Sequence, residues 1–297
     1  SDAELNLSHM SSTNRYRALN EQVLLGRRNK PLKLDIVGRD HLQSEHCDVM
    51  LESATTSFQL HLQVPLSRAR AYFNTAIMIS APMVAVGANS PYMFGKDLWD
   101  ETRIPVFEQA VNVGGFADAA FGPIKRVTFG SGYVRHSCEE WFKENEQHYP
   151  ILLPVELQEA EEHLPHVRLH NGTVWRWNRG LIGFDEAGTP HLRLEHRVLP
   201  AGPTVIDAMA NAALFYGLME GMRRHCPDAE SRLPFSQARD NFYQAARSGL
   251  RGHIQWLDDK RLAIKTLVLD QLLPLARRGL DHLDIDRADA ELYLDVI

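Results

Sequence analysis

The chain has 297 residues, 44% hydrophobic and 24% charged, a composition that excludes a collagen, a coiled coil or a wholly disordered chain. Lys and Arg number 32 against 38 Asp and Glu, a net charge of -6, which lacks the concentrated positive charge that a nucleic-acid backbone demands. The longest apolar run, around Ile77 to Ala88, is too short to span a bilayer and contains Pro82, so no membrane partner is expected.

In chain order, residues 14–27 read as a helix ending in Arg27-Arg28, as the helix dipole favours. Leu32 to Val37 alternates as a strand. A second strand lies within residues 49–64. It turns Phe58, Leu60, Leu62 and Val64 one way and Gln59, His61 and Gln63 the other. Residues 66–86 read as a buried helix, followed by the turn Ala88-Asn89-Ser90-Pro91 and by Gly95-Lys96. Residues 167–179 predict a hairpin, with Asn171-Gly172 as a two-residue type I′ turn. His191 to Leu199 is a strand with Leu192, Leu194, His196 and Val198 on one face and Arg193, Glu195 and Arg197 on the other. Thr204 and Asp207 are spaced to cap a long helix, and residues 235–297 read as helical. Strands early and helices late predict an α+β fold with a largely antiparallel sheet. No repeat or long linker divides the chain. The three cysteines, Cys47, Cys138 and Cys226, are far apart and odd in number, which points to a reducing, cytoplasmic compartment.

The face of Arg193, Glu195 and Arg197 is the strongest chemical signal. A carboxylate between two guanidinium groups suits a metal–phosphate site, the Glu on Mg²⁺ and the Arg residues forked on phosphate oxygens. The same pattern fits an ion-pair ladder on a solvated sheet face. Gln59, His61 and Gln63 could line a cleft or simply face water. Glu52 is a candidate second carboxylate, and Lys96 and Arg103 are candidate phosphate contacts or surface cations. Trp175 and Trp177 share one face and read as packing residues. His163, His166 and His170 lack the spacing of a zinc site. No Walker A sequence, nucleophile elbow or dinucleotide fingerprint is present.

Five segments in order resemble the glutamate–cysteine ligase superfamily, in particular its bacterial type 2 and plant-type carboxylate–amine ligases. They are Thr56-Ser57-Phe58-Gln59-Leu60-His61; Ala88-Asn89-Ser90-Pro91 with Gly95-Lys96; Thr102-Arg103; Trp175-Arg176-Trp177-Asn178-Arg179; and Arg193-Leu194-Glu195-His196-Arg197. The resemblance implies one catalytic domain over 1–297, with 204–297 as its helical part. It implies a glutamine-synthetase-like fold, in which a concave antiparallel sheet carrying ATP and Mg²⁺ is backed by helices. The implied partners are a small-molecule acid and an amine, joined as an amide through an acyl phosphate. Glu195 and Glu52 would hold metal, and Gln59, His61, Lys96, Arg193 and Arg197 would contact nucleotide or phosphate. Arg197, Arg103 and Arg179 would act in catalysis.

The resemblance has two departures. The family's early Gly-x-Glu-x-Glu strand is not found; Glu144/Glu146 and Glu159/Glu161 have the spacing but follow no glycine. The chain is therefore expected to lack the N-terminal part of the family's domain, and an exposed strand edge could pair with a second copy. Gln59 stands where several relatives carry His. A non-catalytic, nucleotide-binding or regulatory protein that keeps the ligase fold is the alternative.

Overall fold

The computed structural model describes residues 5–113 and 125–297. Helix α1 (Asn14–Gly26) leads into the hairpin β1 (Leu32–Val37) and β2 (His41–His46), paired from Leu32↔His46 to Val37↔His41. The first strand is as read; its partner, rich in polar residues, carried no alternation signal. A 3-10 turn, Met50–Ala54, precedes β3 (Leu60–Val64). Helix α2 (Ala69–Gly87) then runs buried along most of its length with Pro82 inside it. A small hairpin, β4 (Tyr92–Met93) and β5 (Lys96–Asp97), leads to α3 (Arg103–Ala110).

After β6 (Val127–Thr128) and α4 (Glu139–His148), the expected hairpin over 167–179 is replaced by α5 (Pro165–Asn171). Pro165 stands at the start of that helix, where its missing N–H costs nothing. Gly172 caps its end at φ -64, donating its N–H to the Arg168 carbonyl at 2.9 Å. A type I′ turn needs positive φ at that glycine, so Asn-Gly here is a helix end. Strands β7 (Trp175–Arg176), β8 (Asn178–Phe184) and β9 (Pro190–His196) follow. Helix α6 (Val205–His225) begins where the Thr204 hydroxyl accepts the Asp207 N–H at 3.3 Å, as the spacing predicts. Helices α7 (Ala229–Arg232) and α8 (Phe235–Ser248) precede a hairpin, β10 (His253–Trp256) with β11 (Lys260–Ala263). That hairpin corrects the reading of 235–297 as wholly helical. Its strands are four residues each, too short for their alternation to outweigh the helical pattern around them. The chain closes with α9 (Ile264–Leu267), a π-helical turn (Val268–Leu272), α10 (Leu273–Asp281) and α11 (Arg287–Leu294).

The fold is α+β, and its sheets are antiparallel except for the short β6–β7 pair. The expected single wall is narrower than one wide sheet. Among the described residues it has three strands, in the order β3-β9-β8, with the remaining strands in pairs. One face of this wall lies on the helices. Leu60, Val64, Leu194 and His196 are buried there, and His196 stacks on Phe215 of α6 at 4.5 Å. Asn178 joins its side-chain amide to the Ser80 hydroxyl of α2 at 2.9 Å and its oxygen to His196 Nδ1 at 2.7 Å. The other face carries the charges. No helix among the described residues is long and apolar enough to cross a membrane.

Gly180 of β8 lets Trp141 of α4 lie against the strand. A Cβ built there would stand 1.9 Å from Trp141 Cε3, and Trp141 is itself pinned by Phe73 at 4.9 Å. Gly180→Ala is expected to destabilise the protein by about 1–3 kcal/mol, the usual cost of overpacking a filled core. A urea midpoint equal to wild type in that variant would contradict this packing.

Candidate functional site

The register of the three strands builds the site. Directly opposed residues share a face, so His61, Glu195 and Arg179 form one row across β3, β9 and β8. Gln63 and Arg193 form the next row with Leu181. Arg197 follows on the same face, its N–H bonded to the Trp177 carbonyl at 2.9 Å. The two polar strand faces read from alternation are therefore one surface.

At its centre Glu195 is 1% exposed. Arg179 reaches its Oε2 through Nη2 at 2.7 Å and Nε at 3.3 Å. Arg197 Nε lies 3.2 Å from its Oε1, an ion pair without hydrogen-bond geometry, so both of those buried atoms lack a hydrogen-bond partner. Burial pulls the Arg197 guanidinium down to about 10, against the Glu195 charge, and it stays protonated at neutral pH. Loss of solvent likewise lowers the His61 imidazole, opposed by Glu195. Phe107 of α3 packs under Arg197, ring to guanidinium carbon at 5.4 Å.

Arg103 is buried beside them, but its bonds point elsewhere. Nε meets Glu101 at 2.9 Å, Nη2 donates to the Val198 carbonyl and Nη1 to the Arg197 carbonyl at 3.5 Å. It braces the chain just after β9, with Trp177 against its guanidinium at 5.2 Å. Burial pushes Glu101 up and Arg103 down, and their pairing opposes both shifts.

Two cavities meet at this surface. One of about 270 Å³ is lined by Ser53, Thr55, Thr56 and Ser57 with Arg103 and Arg197. The other, about 480 Å³, lies between α1 and the sheet and takes in Tyr16, Leu19, Phe107, Trp175 and Arg179. Arg197, Gln59, Glu52 and Phe107 line both. The structure thus brings Arg197, Arg179, Gln59, Glu52 and Arg103 together. Glu195 sits beneath them as their counter-charge. His61 and Arg193 stay on the sheet face beyond the lining of either cavity. Lys96 is apart, exposed on β5. Trp177 is a packing residue, fully buried, whereas Trp175 is a cavity wall. Helix α1 and Phe107 as walls had no signal in the sequence, since an apolar residue on a helix looks the same whatever it covers.

Among the described residues no three His, Cys, Asp or Glu come together to hold a metal ion. A Mg²⁺ bound along with substrate phosphates takes one or two carboxylates from a protein. Glu195, with its unbonded Oε1, is the residue of this face that would offer such an oxygen. The guanidinium excess around it favours anions.

The Glutamate-cysteine ligase family 2 model matches residues 6–290. No curated protein sequence matches. Among solved structures, the chain is similar to the Pup ligase PafA of the prokaryotic ubiquitin-like modification pathway, in complex with ADP, at 9% identity and a TM-score of 0.37. That match covers 94% of this chain and 51% of the other, so the chain spans about half the length of that protein.

Glu195→Gln is expected to cost about 3–5 kcal/mol of stability, because it leaves the buried Arg197 and the half-buried Arg179 with no anion between them. Chemical denaturation measures this; a cost under about 1 kcal/mol, the level of an exposed pair, would show that the cluster is solvated.

Proposed function

The chain belongs to glutamate-cysteine ligase family 2, and we propose that it takes part in joining a carboxylate to an amine at the expense of ATP. In this reaction ATP phosphorylates the carboxylate to an acyl phosphate, and the amine displaces phosphate to leave an amide. Such chemistry calls for positioning and charge neutralisation more than for a protein nucleophile. The observation that carries the reading is Arg197. It is a buried, charged guanidinium at the junction of two cavities, held by Glu195 and flanked by Arg179. A preorganised cation of this kind stabilises charge as it develops on a transferring phosphoryl group. Gln59 adds a side-chain amide at the same junction, and His61 and Arg193 extend the polar face on which the rest of a nucleotide would lie. Mg²⁺, when bound with the nucleotide through Glu195, supplies further neutralisation of the phosphates. Glutamate and cysteine, the pair in the family's name, are the first acid and amine to try.

The scarcity of metal-binding carboxylates among the described residues favours one second reading, a nucleotide-binding protein without catalysis. A single experiment serves both. Calorimetric titration of ATP with and without Mg²⁺ is expected to show Mg²⁺-dependent binding, weakened roughly tenfold or more in Arg197→Ala, as for loss of a charged hydrogen bond. Amine-dependent ADP release, reduced in that variant by about 10²–10³ as for removal of a preorganised donor, establishes catalysis. Binding without amine-dependent release selects the non-catalytic reading, and no binding to a folded chain removes both.

A further inference from the structure

Arg179 and Arg197 line the same cavity, yet they are held differently. The Arg197 guanidinium makes no hydrogen bond with another described residue and meets Glu195 only as an ion pair. Arg179 is almost saturated. Its Nε and Nη2 both reach Glu195 Oε2, and its Nη1 donates to the carbonyls of Asn171 at 3.2 Å and Val174 at 3.3 Å. A guanidinium has five N–H groups, so these four bonds leave one for a ligand.

Asn171, the last residue of α5, is buried, and its side chain is fixed at both ends. Its Nδ2 donates to the Gly180 carbonyl of β8 at 2.9 Å, and its Oδ1 accepts from Nδ2 of the buried Asn145, on α4, at 2.8 Å. Asn145 Oδ1 accepts in turn from Arg176 Nη1 at 2.7 Å. The direction of this chain is forced. A carbonyl only accepts and a guanidinium only donates, so Gly180 at one end and Arg176 at the other dictate which way both amides face. Each amide oxygen and nitrogen is bonded, and a buried network satisfied throughout specifies one geometry. Asn171 thereby grips two adjacent residues of β8, the Arg179 side chain by its backbone carbonyl and the Gly180 backbone by its amide.

We propose that Asn171 is a positioning residue of the site, which clamps Arg179 so that its remaining N–H meets an anionic oxygen of the ligand in a fixed direction. Arg197, without such a clamp, stays free to follow the charge as it moves. The inference rests on the ligase reading above. Asn171 lines neither cavity, so it acts through Arg179. A misplacement of about 1 Å at an orienting group costs on the order of 10²-fold in rate. Loss of the clamp is therefore a loss of turnover more than of nucleotide affinity.

The test is a double-mutant cycle on Asn171→Ala and Arg179→Ala, read by amine-dependent ADP release. Asn171→Ala is expected to lower kcat about tenfold or more, with KM for ATP within about threefold. In the Arg179→Ala background the same change is expected to cost less than about twofold, because the group it positions is gone. Asn145→Asp keeps the oxygen for Arg176 and removes the donor to Asn171; it carries the test if Asn171→Ala fails to fold. A merely structural role lowers the melting temperature and leaves the effect the same with or without Arg179. That result, or an unchanged kcat, overturns the proposal. Side-chain NMR of arginine-labelled protein reads the clamp without turnover. The Arg179 Nη protons are expected to give separate, slowly exchanging signals in the unaltered chain and to merge in the variant. Signals already merged in the unaltered chain, or unmoved in the variant, overturn the proposal. If the signals merge as expected but the unaltered chain shows no amine-dependent release, the clamp stands and the ligase reading alone is lost.

Discussion

One buried carboxylate holds the site together. Arg179 comes from β8 and Arg197 from the position just after β9, and both converge on Glu195. Two guanidinium ions at such range repel by a few kcal/mol at an effective dielectric of about 20, and the anion between them reverses that sign. Arg103 adds no net charge, because Glu101 cancels it. What remains on the face is an excess of positive charge from Arg179, Arg193 and Arg197 over Glu195. Glu52, with its carboxyl pushed up by burial, reduces that excess when ionised. The surface is therefore arranged for an anion to complete it.

The strand behind the charges accounts for their precision. Along β9, Glu195 faces the cleft and His196 faces α6, so a slip of one residue would bury the carboxylate among helices. His196 prevents the slip from its own side. Burial drops its imidazole to about 3, so it is neutral, and its Nδ1 is tied to Asn178, which is tied to Ser80 of α2. Arg103 clamps the carbonyls immediately after the strand. Cleft geometry thus depends on neutral hydrogen bonds on one face and ion pairs on the other. Neither set substitutes for the other, because an imidazolium on the helix side would be a charge with no counter-ion.

Much of this was legible in residue order, and what was not has a physical cause. Period-two alternation placed Arg193, Glu195 and Arg197 on one face and Gln59, His61 and Gln63 on another. It could not place Arg179 against Glu195, since that pairing depends on a cross-strand register set by contacts distant in sequence. Asn171-Gly172 misled because the same dipeptide ends a helix and turns a hairpin, and Pro165 six residues earlier decided the case. Lys96 resembles a phosphate contact in its segment, yet the β4–β5 hairpin carries it out into solvent. Glu52 lies in a short 3-10 turn, which has no periodicity from which to read a direction.

The proposed reaction sets requirements on an acyl phosphate that the junction of the two cavities can meet. It must be formed beside cations and then meet an amine before it meets water. A cleft polar throughout would admit water to the acyl carbon from every side. Here the hydroxyl-lined cavity and the larger, mixed one touch at Arg197, Glu52, Ser53, Gln59 and Phe107. On the proposed reaction, phosphate leaves toward the guanidinium and hydroxyl groups of the smaller cavity, and Leu19, Phe107 and Trp175 exclude water from part of the larger one. On that reading the carbonyl carbon sits where the two cavities meet, beside Arg197. On that reading, a single guanidinium at the junction lets one small sheet serve both phosphoryl transfer and amide formation.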